Sequence, residues 1–469
     1  MTHGGRSARL LPLLVLCLTV CLSFPSARLA GASKSKQPAT ALANVIPDTP
    51  AGEQLAWALQ QVNDGGATLT PDDVVGRFSD DFLAALPPAD LIAVFTNYAA
   101  PNGPMTVARF EGGVTATRAN ALLATPSGQP WHIRLGVESK APYRIDDLFF
   151  EPAPLPPTMP NPPTSWNSLN RRLRNVAPEV AFIAADVTGG TCQRIQSLNA
   201  NKELAIGSNF KLFVLGELAR QIEAGQASWD EPLKLRAKLK SLPSGTMLYE
   251  KNGSVFPILT YAEHMIAESD NTATDHLIHR LGRENIEQMM ATMGHANPAL
   301  NTPLLMTREW FAIKLRLSDD QIAAYLAADD ATQRKLLTDE VDPQADTLWD
   351  GEEWVNPYLI DSIEWFASPA DLCRAMAYLF EQSGHPGMTP ILDCLSLNPG
   401  IPFDAATWSY VGYKEGYETG VKSQVWLLQR TDGRWFTIAA IINDPTKEID
   451  GLALKQLMVP AAALLAKTK

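Results

Sequence analysis

An α+β protein of two unequal domains is what this sequence predicts, and three observations predict it. Seven of the twelve residues from Pro152 to Pro163 are proline, which makes an extended, semi-rigid spacer between two blocks of chain. Ahead of that spacer, helical spacing gives way to period-2 alternation. Behind it, two hairpins turning at glycine bracket a long helical block, so sheet and helices should form two lobes with a cleft between them.

Composition sets the outer limits. The 469 residues exceed one ordinary core, and 46% hydrophobic with 19% charged residues is the balance of a globular chain. Lys plus Arg count 39 against 51 Asp plus Glu, a net charge of -12, which argues against a nucleic-acid partner.

The first 32 residues read as a secretory signal. Arg6 and Arg9 form the positive start, Leu10 to Phe24 the apolar stretch, and Ala30-Gly31-Ala32 a small-residue cleavage site after Ala32. Leu16 before Cys17 and Val20 before Cys21 do not fit a lipoprotein site, and the apolar run is short for a membrane anchor. Export to a periplasm or the medium is therefore expected, with no stable membrane span after signal removal. Cys192, Cys373 and Cys394 remain after cleavage, an odd number that leaves at least one unpaired. Cys373 and Cys394 are closest in sequence, and buried free thiols are the equal alternative. His276 and His279 sit three apart without a third ligand at a sensible spacing, so no metal or cofactor is expected.

Residues 48–151 read as helices followed by strands. Leu55, Trp57, Ala58 and Leu59 have helical spacing, and Thr70-Pro71-Asp72-Asp73 is a capped helix start. Trp131, Ile133, Leu135 and Val137 alternate with polar neighbours as one strand, with Thr115 to Thr125 and Tyr143 to Phe150 beside it. Residues 152–165 are the linker. Residues 166–469 open with the amphipathic segment Trp166 to Val176, then a hairpin, Val180 to Val187 with Cys192 to Leu198. A second hairpin pairs Val425 to Arg430 with Trp435 to Ile442. Leu452 to Lys467 closes the chain as a helix that Pro460 kinks or splits.

Three short motifs carry chemistry. Ser208-Asn209-Phe210-Lys211 opens the apolar helical run Leu212 to Ile222. There Ser208 meets the positive helix end, and Lys211 lies one turn away on the same face. A desolvated Lys211 could accept the serine proton. Ser269-Asp270-Asn271 follows the helical stretch Tyr261 to Ala267 on a turn. Ser269 could relay a proton, and Asn271 could bind a substrate carbonyl or steady Lys211, although these residues also make good helix caps. Lys414-Glu415-Gly416 precedes the last hairpin. Lys414 would meet an anionic substrate group, Gly416 would admit a substrate backbone, and the amide of Tyr417 could join that of Ser208 in an oxyanion hole.

In this order, Ser-x-x-Lys, Ser-Asp-Asn and Lys-x-Gly resemble the pattern of class A β-lactamases and penicillin-binding proteins. The 61-residue gap from Ser208 to Ser269 is similar to class A spacing. So are Leu242-Pro243-Ser244-Gly245-Thr246 and Ser368-Pro369-Ala370-Asp371-Leu372. The resemblance covers 166–469 and implies a five-stranded antiparallel sheet with a helical lobe. An exported, proline-linked N-terminal module ahead of such a domain also resembles the two-domain serine hydrolase encoded among clavulanic-acid biosynthesis genes and its actinobacterial lipoprotein relatives. That likeness implies a steroid-isomerase-type cone of helices and curved antiparallel sheet.

Two departures stand out. Glu415 replaces the Thr of the third motif, and a carboxylate there would repel a substrate carboxylate. The gap from Ser269 to Lys414 is 145 residues, with the extra length in the acid-rich stretch Asn301 to Trp349. The deacylating Glu that the family implies falls on Glu352, with Asn356 four residues on and Glu353 and Glu364 as rivals. The function expected is an exported serine hydrolase that forms an acyl-enzyme on Ser208. Its substrate would be a small molecule: a β-lactam, a small ester, or a peptidoglycan-like amide. A monomer is expected. The alternative is an envelope protein that binds or senses such a ligand with little turnover.

Overall fold

The computed structural model describes residues 45–66, 68–102, 104–348 and 354–468. The expected signal peptide and the candidates Glu352 and Glu353 lie outside these residues. Among the described residues no helix is long and apolar enough to cross a membrane.

The N-terminal part has four helices and four strands. The helices are α1 (Pro50–Asn63), α2 (Pro71–Arg77), α3 (Asp80–Ala85) and α4 (Pro88–Asn102). The strands β1 (Thr106–Phe110), β2 (Arg118–Ala124), β3 (Trp131–Val137) and β4 (Ile145–Pro152) pair in sequence order as one antiparallel sheet. Helices α3 and α4 and strand β1 go beyond the sequence reading. At the predicted helix start, Thr70 and Asp73 cap each other's backbone reciprocally. Trp131, Ile133 and Leu135 of β3 pack with Leu55, Leu59, Phe78 and Phe95 from the helices. These side chains form one core between sheet and helices.

The proline-rich segment is fastened down rather than free. Met159 packs against the second domain's core, and Gln456 Nε2 donates to the Thr158 carbonyl at 2.6 Å. Helix α5 (Trp166–Leu173) follows, then the predicted hairpin β5 (Glu179–Asp186) and β6 (Gln193–Leu198). The short β7 (Leu204–Ala205) leads into a 3₁₀ turn, Gly207–Phe210, and α6 (Lys211–Glu223). A small ribbon, β8 (Pro232–Lys234) with β9 (Val255–Pro257), precedes α7 (Ile258–Ala267), α8 (Asn271–Leu281) and α9 (Arg283–Thr292).

The acid-rich insertion is helical: α10 (Thr307–Arg316), α11 (Asp319–Ala327), α12 (Asp330–Leu336) and α13 (Asp342–Ala345). Next come β10 (Phe366–Ala367), which pairs with β7, then α14 (Pro369–Ser383) and α15 (Pro390–Ser396). Three strands end the sheet: β11 (Trp408–Glu418), β12 (Val421–Arg430) and β13 (Trp435–Asn443). Helix α16 (Gly451–Leu465) runs through Pro460 as one helix, so the proline does not split it.

The main sheet has the order β11-β12-β13-β5-β6, all antiparallel, as the resemblance implied. Its inner strands β5, β12 and β13 are largely apolar on both faces because both are covered. Val425, Leu427, Ala439 and Ile441 face the helical lobe, while Trp426, Leu428, Ile438 and Ala440 pack with α5 and α16. β11 is an edge strand, and that edge borders the cleft.

The cysteines pair differently from their order in sequence. Cys192 bonds Cys373 with a Cα separation of 6.0 Å, and Cys394 is the buried free thiol. Cys192 lies at the turn between β5 and β6, and β5 packs against α14 where Cys373 sits, whereas Cys394 is enclosed on α15. Spatial contact, not sequence distance, selects the partner.

Candidate active site

The nucleophile turn is built by close packing of backbone on backbone. Gly207 has φ +49°, and a Cβ there would lie 3.0 Å from the Tyr417 nitrogen. A Cβ on Gly416 would stand 1.8 Å from the Ile206 carbonyl oxygen and 2.8 Å from the Ser208 nitrogen. Only glycine lets β11 and this turn meet, and the meeting brings the amides of Ser208 and Tyr417 to one place. Ser423 fastens the turn to β12: its hydroxyl donates to the Ile206 carbonyl at 2.5 Å and accepts from Asn209 Nδ2 at 2.6 Å. Ser208 is half-buried on the cleft wall at the approach to α6.

Lys211, Ser269, Asn271 and Lys414, distant in sequence, converge beside it. Lys211 is fully buried and donates to the Ser269 carbonyl at 2.5 Å, to Asn271 Oδ1 at 2.7 Å and to Ser269 Oγ at 3.3 Å. Lys414, also buried, donates to Ser269 Oγ at 2.8 Å and to the Glu415 carbonyl at 2.6 Å. One serine hydroxyl thus bridges two lysine side-chain nitrogens. Burial, then the neighbouring charge of Lys414, pushes the Lys211 amine well below the usual lysine range. Burial pushes Lys414 down to about 7. Among the described residues the hydroxyl of Ser208 takes no hydrogen bond, so the network points past it at Ser269.

The loop before α8 fixes this geometry. Ser269 has φ +57°, a strained value for a residue with a side chain. Asp270 caps α8, accepting from Ala273 N and Met247 N at 2.7 Å each. The Leu242–Thr246 stretch lies over it: Gly245 has φ +89°, and a Cβ there would collide with the Asp270 carboxylate at 2.1 Å. Asn271 Nδ2 donates to the Leu242 carbonyl at 3.0 Å while its oxygen holds Lys211. Of the two roles expected for Asn271, the contacts are those of steadying the lysine.

The cleft itself encloses about 590 Å³. Trp310 and Phe311 of α10 form part of its wall, so the insertion does contribute to the cleft. Trp365 stacks on Phe210 at 4.1 Å and on Trp310 at 5.6 Å, tying α10 to the nucleophile turn.

Sequence reasoning named Glu364 as a rival water base but missed the cluster it forms with Lys314 and Glu418 on the same wall. Glu364 accepts from Gly207 N at 3.2 Å and Trp365 N at 3.1 Å. Lys314 reaches both oxygens of Glu418 at 3.0 and 2.9 Å and stands 3.9 Å from Glu364. Burial, then Glu364, raises the Glu418 carboxyl far above its usual range, and burial raises Glu364 too. Burial thus favours the protonated form of both carboxyls, and Glu364 Oε1 has no hydrogen-bond partner among the described residues. A signal was present: Lys414, Gly416 and Glu418 share one face of β11 by period 2. Nothing local in the sequence marked Lys314.

Two metal readings are accounted for. His276 Nε2 accepts from Arg236 N at 2.8 Å while its Nδ1 contacts the Thr272 carbonyl, and burial lowers it to about 4, as a structural histidine. His264, Glu268 and Asp270 bring three ligating atoms within 4.8 Å of one another. Glu268 and His264 pair at 3.1 Å, and both Asp270 oxygens are spent on backbone N–H groups.

A sheet edge, a helical lobe, and a serine-bearing turn beside buried lysines together define a serine hydrolase-type fold. Residues 165–465 match the model of the β-lactamase enzyme family, and the chain belongs to that family. Residues 46–141 match the model described as ORF 12 gene product N-terminal. Similar solved structures include a mutant of PBP-A in acyl-enzyme complex with penicillin G. It is 17% identical, with 67% of this chain and 100% of that one covered and a TM-score of 0.44. A β-lactamase from Sphaerobacter thermophilus is 21% identical, with 64% and 97% covered and a TM-score of 0.44. One from Francisella tularensis is 12% identical, with 64% and 98% covered and a TM-score of 0.44. No curated protein matches the chain.

Proposed function

We propose that this protein is an exported serine hydrolase that works through an acyl-enzyme on Ser208. The observation that carries the reading is the pair of buried lysines, Lys211 and Lys414, joined by Ser269 Oγ next to the Ser208 turn. Ser208 Oγ attacks a carbonyl carbon and its proton passes to the neutral amine of Lys211. The amides of Ser208 and Tyr417 receive the oxyanion. Ser269 hands the proton to the leaving group as its bond to carbon breaks, and Lys414 holds Ser269 in line. Water then frees the acyl group. The deacylating Glu that the family implies is Glu352; its rival Glu364 lies on the cleft wall, but burial raises its carboxyl toward the protonated form, which does not suit a water base. The substrate is a small molecule. The Cys192–Cys373 bond supports an oxidising compartment.

Intact-mass spectrometry of the mature protein with 4-nitrophenyl pentanoate and with a penicillin tests this reading. An adduct of acyl mass on the wild type, absent from Ser208→Ala, is expected, with a loss of turnover of about 10³-fold or more in the variant. An adduct that persists for hours would favour a sensor over an enzyme. Turnover unchanged in Ser208→Ala would overturn the assignment.

A further inference from the structure

Lys414 and Glu415 leave β11 on opposite faces of the strand. Lys414 turns to Ser269, whereas the Glu415 carboxylate accepts the Tyr413 hydroxyl at 2.8 Å and the ammonium of Lys422 at 2.9 Å. Burial alone would raise that carboxyl, but Lys422 overrides it and holds it down at about 2, so the group is an anion at neutral pH. Glu415, Lys422 and Tyr417 together line the cleft, and the Lys422 ammonium also lies 5.0 Å from the Tyr417 ring centre.

The remaining cations at this wall are committed as well. Lys211 and Lys414 spend their donors on Ser269, Asn271 and a carbonyl, and Lys314 is clasped by Glu418. Each lysine at the cleft therefore already has an acceptor within the protein. Among the described residues four carboxyl side chains line the same space, Glu268, Glu364, Glu415 and Glu418, with aromatic surface from Trp310, Phe311 and Trp354 beside them. A substrate anion entering here would meet an aromatic and acidic wall. It would also have to displace an internal carboxylate to reach Lys422.

We propose that Glu415 determines specificity: its carboxylate occupies the place beside Lys422 that a substrate anion would take, so the acyl donor is an ester or amide without a carboxylate near the scissile bond. The inference rests on the acyl-enzyme reading of Ser208. It predicts poor acylation by carboxylate-bearing penicillins and preferred acylation by neutral esters whose acyl group packs on the aromatic wall.

Two esters of one leaving group and one acyl length separate the possibilities: 4-nitrophenyl pentanoate and mono-4-nitrophenyl glutarate, which differ by a terminal carboxylate. In the wild type kcat/KM should favour pentanoate by about tenfold or more, beyond their ratio in buffer. Glu415→Gln, which releases Lys422, should shrink that ratio by about tenfold. Lys422→Gln, which leaves Glu415 without its cation, should widen it. Opposite shifts in two variants cannot come from simple loss of fold, and thermal melts monitor each. Equal or better use of glutarate by the wild type, or a ratio that neither variant moves, would overturn the proposal. Should neither ester acylate Ser208, the acyl-enzyme reading itself falls.

Discussion

Two clusters of buried lysine flank the same cleft in opposite company. Lys211 and Lys414 meet only hydroxyl, amide and carbonyl oxygens in their hydrogen bonds, and their amines are pushed below the lysine range. Lys314 instead lies against two carboxyls, over the Trp310 ring at 4.3 Å. Burial is the same in both places, and the counter-charge is not. Desolvation without a hydrogen-bonded carboxylate, only partly offset by Asp270 and Asp275 at Lys211 and by Glu415 at Lys414, makes a lysine ready to give up its proton and act as a base. Desolvation with carboxylates makes a strut that holds α10, Glu364 and β11 together around the nucleophile turn.

The largest expected effect breaks the first cluster. Lys211→Met should lower kcat/KM for a neutral ester by about 10²- to 10⁴-fold, with the fold retained, because the proton acceptor is gone. Stopped-flow acylation and a thermal melt measure the two sides of that statement.

Breaking the second cluster should act on stability instead. Lys314→Met strands two carboxyls in the interior and should cost about 3–5 kcal/mol by denaturant titration near neutral pH. Its pH dependence follows from the raised carboxyls. In the folded state they keep protons that the unfolded chain releases above about pH 4.3. Stability from such groups is full below that pH and falls as pH rises. The deficit of Lys314→Met should therefore be small in acid and grow toward neutrality. A deficit independent of pH would mean that the buried carboxyls do not retain protons as described.

The smallest effect sharpens the comparison within the first cluster. Lys414 is a like charge that depresses Lys211. Lys414→Met should move the acidic limb of the pH–kcat/KM profile upward by on the order of one pH unit, whatever it does to the maximum rate. A limb that stays in place would assign it to another group.

The N-terminal part bears on the same site from outside. Arg118 forms a two-toothed ion pair with Glu263 of α7, the helix that ends just before Ser269. Buried Arg109 donates to the Phe403 carbonyl at 2.9 Å, ahead of β11. The sequence offered helices and strands for this part but no hint that its sheet grips the two elements carrying Ser269 and Lys414. Trp131, Ile133 and Leu135 of that sheet are buried in its core.

Much of the architecture could be read from local signals. The two hairpins, the capped helix starts at Thr70 and Ser368, and the serine ahead of an apolar helix are each set by a few neighbouring residues. Motif order placed Ser208, Lys211, Ser269 and Lys414 on one site because the fold that spaces them leaves those residue types in register. What required tertiary structure was every choice of partner. Cys192 found Cys373 across 181 residues, and Lys314 found Glu418 across 104. Glu415 turned to Lys422 through the pairing of β11 with β12. Sequence patterns record which face a side chain takes. Its proton and its counter-ion are settled by packing, since both depend on charges brought within a few ångströms by distant parts of the chain.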